Sequence, residues 1–357
     1  MKKLKLAIIG QGRSGKNIHG RYYTSERNEF FTVVYVVERD EHLRDIAREI
    51  YPGCETLTDY TELFDKKDVD LVVNASYSEM HFPINKDLLE HGFNVLTEKP
   101  FARNTYECDT LIETAKKNGV LIAAFQNTQM APFYLDALKK ARDGTLGDIK
   151  QISIRYNSLS RRWDWQTLQK KMGGSAYNTG PHPIAMALGF LGFDKETRVA
   201  FSKLDRALTS GDAEDYVKII LTAPGKPVID IEMNNTDAFS DYNLKLQGSH
   251  GTMKSTPKSF KMKYIVEGEN PMHSVVEESL RNDDGLPVYC SEKFITHEEE
   301  GTYDGDAFNV GTAEIYKSVY YAITEGKPLA VTAEQAAMVI GVIEKVHADN
   351  PLDVKYL

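Results

Sequence analysis

The stretch KLAIIGQGRSG near the start constrains this chain more than any other. Residues 5–9 read as a buried strand, and Gly10, Gly12 and Gly15 follow at once with G-x-G-x-x-G spacing. Arg13 and Ser14 lie between the last two glycines, where a helical segment opens. In such a strand–turn–helix unit the first glycine permits the tight turn. The second lets backbone approach a pyrophosphate, and the third lets helix and strand pack closely. The N–H groups and dipole of the helix start favour phosphate. Glycine-rich turns also serve purely structural ends, so context decides. A second apolar run, Phe31–Val37, leads to Glu38, roughly 20 residues past the last glycine, as this fingerprint requires. A carboxylate there accepts hydrogen bonds from both adenosine ribose hydroxyls and repels a 2′-phosphate. NAD is therefore favoured over NADP, although Arg39 pulls the other way, because a guanidinium pairs with phosphate.

Further apolar runs at 70–74, 94–97 and 120–125 alternate with helix-length segments at 81–91 and 105–118. Continuously apolar strands alternating with helices predict a parallel sheet covered on both faces. After residue 125 the pattern changes. A helix fits 132–142, and 149–156, 216–221, 227–233 and 242–248 alternate apolar with polar residues. These read as consecutive antiparallel strands of one open sheet, followed by helices at 307–325 and 333–348. The expected fold class is α/β, with a Rossmann dinucleotide-binding domain at 1–125. A substrate-binding and oligomerisation α/β domain is expected at 126–357.

Composition narrows the function classes. Among 357 residues, 43 Lys and Arg face 52 Asp and Glu, a net charge of −9. That argues against nucleic-acid partners and anionic membranes. Cys54, Cys108 and Cys290 are far apart and suggest reduced thiols. The histidines are scattered without metal-ligand spacing, so no metal is expected. No apolar run reaches the ~18–20 residues of a membrane span. The start lacks a signal-peptide core, and a soluble cytoplasmic protein is expected.

Several residues have the chemistry of a site. Ser76 and Ser78 follow the 70–74 strand, where they would either contact cofactor or cap the next helix. His81 is a further cofactor candidate or a simple first-turn helix residue. Glu98 and Lys99 end the 94–97 strand, and the lysine would point into the same crevice or lie on the surface. Asn127 and Gln129 follow the 120–125 strand. Tyr156, Arg162, Trp163 and Trp165 offer the mixture of aromatic faces and polar groups that suits a sugar ring, or else pack in the core.

EKP at 98–100, together with the glycine-rich run Gly173-Gly174-Ser-Ala-Tyr-Asn-Thr-Gly-Pro-His182, resembles the Gfo/Idh/MocA oxidoreductase family. DGTLGDI (143–149), QGSHGT (247–252) and AITEGKPLAVTAEQA (322–336) extend the resemblance over nearly the whole chain. It implies a Rossmann domain and a C-terminal domain whose open, mostly antiparallel sheet serves oligomer contacts. It also implies that Lys99 contacts the reacting hydroxyl and that His182 transfers its proton. Asn178 and Ala185 stand where many members carry Asp. Asn178 can still hydrogen-bond a sugar hydroxyl, but it cannot take a proton as a carboxylate does. The resulting expectation is an NAD-dependent dehydrogenase acting on a secondary ring hydroxyl of a sugar, glycoside or cyclitol, with C3 of a glucosyl unit attractive. An NAD-recycling glycoside-cleaving or epimerising enzyme and a non-enzymatic dinucleotide-binding regulator are the alternatives.

Overall fold

A computed structural model describes residues 2–356. Its first sheet contains β1 (Leu4–Ile9), β2 (Phe31–Val37), β3 (Glu55–Leu57), β4 (Leu71–Asn74), β5 (Val95–Thr97) and β6 (Ile122–Ala124), in the order β3-β2-β1-β4-β5-β6. Every pairing is parallel. Leu6, Ile8, Val36 and Val73 fill one core, while Ala7, Ile9, Val37 and Val72 fill another. That explains why these strands are apolar throughout: neither face meets water. The helices between them carry their own stop and start signals. Asp40 caps Glu41–Ile50 by accepting from His42 and Leu43 N–H, and Asn104 caps Thr105–Asn118 by accepting from Glu107 N–H. Gly119 ends the latter with φ +66°. Strand order reverses between β1 and β4, which opens a crevice at the carboxyl ends of β1, β4 and β5.

The second sheet contains β7 (Ile149–Arg155), β8 (Arg198–Asp205), β9 (Tyr216–Thr222), β10 (Val228–Asn234), β11 (Leu244–Gly248), β12 (Gly251–Ser255), β13 (Ser259–Tyr264) and β14 (His297–Thr302). Their order is β14-β13-β12-β11-β7-β10-β9-β8. Consecutive strands pair antiparallel as expected, except at the centre, where β7 and β10 run parallel. The β9–β10 hairpin docks beside β7 only after the long excursion through the helix Pro181–Phe190 and β8, and this sets β10 in the same direction as β7. β3, β8 and β12–β14 are short or polar and carry no clear alternation in sequence. Val217, Ile219 and Leu221 of β9 and Ile229, Ile231 and Met233 of β10 point to the covered face and are buried. The other face is polar, with Lys218 bridging Asp230 and Glu232.

After β14 the chain returns to the first sheet. Tyr316 and Val319 of the helix Thr312–Glu325 join the core of Leu6, Ile8 and Phe31. The helix Ala333–Asp349 packs near Thr105–Asn118, where Glu344 accepts from Thr105 N–H (2.9 Å) and Oγ1 (2.7 Å). No helix among the described residues is long and apolar enough to cross a membrane.

Candidate active site

The glycine loop has the geometry its sequence requires. Gly10 sits at φ +92°, and a Cβ on Gly15 would lie 1.9 Å from the Gly10 carbonyl oxygen. Nothing approaches the Cβ position of Gly12, so the backbone there is open to a ligand. Glu38 is pinned against the loop: Oε2 accepts from Gln11 N–H (2.8 Å) and Oε1 from Asp40 N–H (3.0 Å). Arg39 stands in solvent, 3.6 Å from Asp59. The Gln11 side-chain amide is buried and has no partner among the described residues. An open glycine, a fixed carboxylate at the end of β2 and an orphaned amide together fit a dinucleotide.

The ends of β4 and β5 are tied to one another. Ser76 Oγ donates to Asn74 Oδ1 (2.7 Å), and Ser78 is buried. His81 is buried with Nδ1 2.7 Å from the Pro100 carbonyl and Nε2 3.2 Å from the Ser76 carbonyl. Burial holds its imidazole below the ordinary value. Glu98 is buried too, and Oε2 accepts from Lys99 N–H at 3.0 Å. Its Oε1 lies 3.2 Å from His19 Nε2. Burial pushes the Glu98 carboxyl up, but His19, Lys99 and His81 together outweigh it and hold the group at about 2. His19 Nδ1 in turn lies 2.7 Å from Tyr316 Oη, which accepts from Tyr23 Oη.

Lys99 follows β5 and precedes a cis Pro100. Its ammonium crosses to the second domain, donating to the Asn178 carbonyl (2.8 Å) and to Asn178 Oδ1 (3.3 Å). Gln166 Nε2 also donates to that Oδ1, at 2.9 Å. Burial lowers the pKa of Lys99, helped by Arg13 and Arg162 and opposed by Glu98. His182 is the second residue of the helix Pro181–Phe190, and its Nδ1 lies 3.1 Å from Thr128 Oγ1. Burial first, then the nearby Lys99 charge, holds its imidazole at about 3, against a weaker pull from Glu98. The ring is therefore neutral at ordinary pH. In the tautomer that donates Nδ1–H to Thr128, Nε2 keeps a lone pair for an incoming proton.

The remaining candidates are dispersed around this centre. Trp165 meets Tyr77 edge-on, with ring centroids 5.0 Å apart, and Arg162 pairs with Asp164. Trp163 is 81% exposed. Tyr156 leans inward, its hydroxyl directed at Met186 Sδ (3.8 Å), and Ala185 is fully buried. Asn127 is buried and donates from Nδ2 to the Ala307 carbonyl (3.0 Å) and Thr312 Oγ1 (3.3 Å). Gln129 donates to Gln126. Sequence reasoning missed Thr128, which lies between the two residues it selected, and Gln166. It also missed His19, although a histidine four positions past Gly15 on the helix that the loop opens is a usable signal.

Residues 4–126 match the model of an oxidoreductase family with an NAD-binding Rossmann fold, and residues 139–348 match that family's C-terminal alpha/beta domain. An uncharacterized oxidoreductase of Schizosaccharomyces pombe is 26% identical, over 80% of this chain and 77% of its own. A scyllo-inositol 2-dehydrogenase (NADP(+)) of Bacillus subtilis is 23% identical, over 96% of this chain and 92% of its own. The crystal structure of GenD2 from gentamicin A biosynthesis, in complex with NAD, superposes with a TM-score of 0.76 at 20% identity, covering 98% of this chain and 95% of that one. The two halves of the fold and both family matches lead to one conclusion: this chain is an oxidoreductase of the Gfo/Idh/MocA family.

Proposed function

We propose that this enzyme oxidises a secondary ring hydroxyl of a sugar, glycoside or cyclitol, with NAD as the preferred cofactor. The observation that carries the reading is the approach of Lys99, from the end of β5, to the Asn178–His182 segment of the other domain. Oxidising an alcohol removes a hydride from carbon and a proton from oxygen. Bound NAD supplies the hydride acceptor. Gly10, Gly12, Arg13, Ser14, Gly15, Glu38 and Arg39 would hold its adenosine and phosphate half, with Ser76, Ser78, His81 and Glu98 lining the way to its reactive end. Lys99 donates a hydrogen bond to the hydroxyl oxygen and stabilises the alkoxide charge that develops there. His182 accepts the proton at Nε2. Asn178, fixed through Oδ1, keeps Nδ2 for a neighbouring hydroxyl, while Trp165, Trp163 and Arg162 flank the sugar.

Support for the substrate class comes from the cyclitol named in the Bacillus subtilis relative. That relative's name specifies NADP(+), so the case for NAD rests on the pinned Glu38 carboxylate. The test follows absorbance of reduced cofactor with NAD or NADP across a panel of glucosides, free aldoses and inositols. Reduction of NAD by at least one polyol, with NADP poorer, is expected. No reduction of either cofactor across the panel would remove the proposal.

A further inference from the structure

Between β13 and β14 the chain leaves the molecule. Every residue from 271 to 296 is exposed, and Met272, Val275 and Tyr289 are more than nine-tenths exposed. A connection this long is uncommon unless it does something, and so many bare apolar side chains mark a contact surface. The segment nevertheless has order of its own. At its base Asn270 clasps the returning strand, donating to the Ile295 carbonyl (3.1 Å) and accepting from Ile295 N–H (2.8 Å). At its tip Arg281 and Pro287 form an isolated bridge, and Val288 N–H donates to the Leu280 carbonyl at 2.9 Å. Leu286 N–H donates to Asn282 Oδ1, also at 2.9 Å. This is a preformed hairpin presenting Leu280, Leu286 and Val288 to solvent.

The strand register shows where the arm stands. Tyr264 pairs with Gly251, Gly248 with Ile149, and so the arm leaves the sheet at the amino end of β7. The candidate active site lies past the carboxyl end of β7. There a second set of apolar side chains is bare: Leu159, Trp163 and Phe239, the last 92% exposed. A bridge between Leu159 and Thr236 joins the two loops that carry them. Strands of this length separate the two ends by about 20 Å. A two-fold axis lying across the strands reverses their direction, so it brings the arm end of one copy over the site end of the other. Each limb of roughly 15 residues spans up to ~50 Å when extended, ample for that reach. Charge does not oppose the crossing. The arm is acidic, with Glu277, Glu278, Asp283, Asp284 and Glu292 outnumbering Arg281 and Lys293, and the polar sheet face balances Lys203, Lys254, Lys261 and Lys263 with Asp205, Asp241, Glu300 and Glu298.

We infer that the 265–296 arm docks on a second copy of this chain, crossing its sheet face to cover the loops at 157–165 and 235–243. Each active site is then completed by the other copy's hairpin, which closes the substrate side and excludes water. That the covered place oxidises an alcohol rests on the reading proposed above; the docking itself does not.

The arm supplies its own probe site, because Cys290 is exposed while Cys54 is half-buried and Cys108 buried. Full-length Cys54→Ser protein carrying benzophenone-maleimide on Cys290 is irradiated, run on a denaturing gel, and the doubled-mass band mapped by peptide mass. The expected result is a doubled-mass band whose cross-links fall in 157–165 or 235–243. Replacing residues 272–293 by a short Gly-Ser turn removes the arm and its cysteine together, and should reduce the sedimenting mass of the unlabelled protein; an unchanged sedimenting mass would also overturn the inference. No doubled-mass band, or cross-links falling elsewhere, overturns the inference. The map needs neither substrate nor cofactor, so failure of the proposed reaction leaves it standing, and the reverse also holds.

Discussion

Lys99 and His182 are both depressed from their ordinary values, for the same two reasons: burial and neighbouring positive charge. The sign of the consequence for stability follows directly. An imidazole held at about 3 when folded, against ~6.5 when unfolded, binds fewer protons in the folded state across that window. Stability is therefore lost as pH falls from ~6.5 toward 3, and Glu98, held at about 2, adds a loss below its unfolded value of ~4.3. His182→Asn should flatten the acid-side fall between pH 6 and 4, read by urea denaturation; an unchanged slope would assign that fall elsewhere. Asn178→Asp would set a carboxylate beside the Lys99 ammonium. It should raise the pKa of Lys99, so that the alkaline fall in rate expected when that ammonium loses its proton moves to higher pH, with NAD affinity unchanged; an unmoved profile would separate Lys99 from the rate. The buried His19–Glu98 pair makes a third expectation. His19→Asn removes one of the groups that hold the buried Glu98 carboxylate and should cost about 1–3 kcal/mol. Adding Glu98→Gln should restore part of it, and a double variant as unstable as the single would deny the pairing.

At the scale of elements, the glycine loop is where sequence and structure agree most closely, because backbone sterics leave few other solutions. Gly15→Ala puts a methyl into the Gly10 carbonyl, with a cost of about 3 kcal/mol or more and loss of NAD binding by calorimetry. Retained binding would show that the loop tolerates reshaping. The apolar runs that became β1, β2, β4, β5 and β6 were legible for a similar reason, since a strand buried on both faces has no room for polar side chains. β8 and β12–β14 were not legible. One side of that sheet faces water, and Lys–Glu pairs such as Lys263 with Glu298 replace the apolar signal. The parallel β7–β10 pairing is a topological outcome that alternation does not encode. Among the candidate residues, Lys99 and His182 were singled out through short motifs, while Thr128 and Gln166 meet His182 and Asn178 only through a fold that brings distant segments together.

For the whole molecule, the two family domains are bound to each other by the last part of the chain. The helix Thr312–Glu325 serves the first sheet's core, and Glu344 holds the start of Thr105–Asn118. Lys99 adds a further tie, reaching from the first domain to the Asn178 carbonyl of the second. The proposed catalysis, with one ammonium and one imidazole acting on the same oxygen, makes a quantitative demand. Each of Lys99→Ala and His182→Ala should lower kcat by ~10²–10⁴-fold, with NAD binding retained. The most direct measurement is the double-variant cycle of kcat, followed by NAD reduction with the best polyol. If both groups serve one step, the double variant loses little more than the worse single variant. Losses that multiply in full, or near-normal turnover in either single variant, would contradict the account.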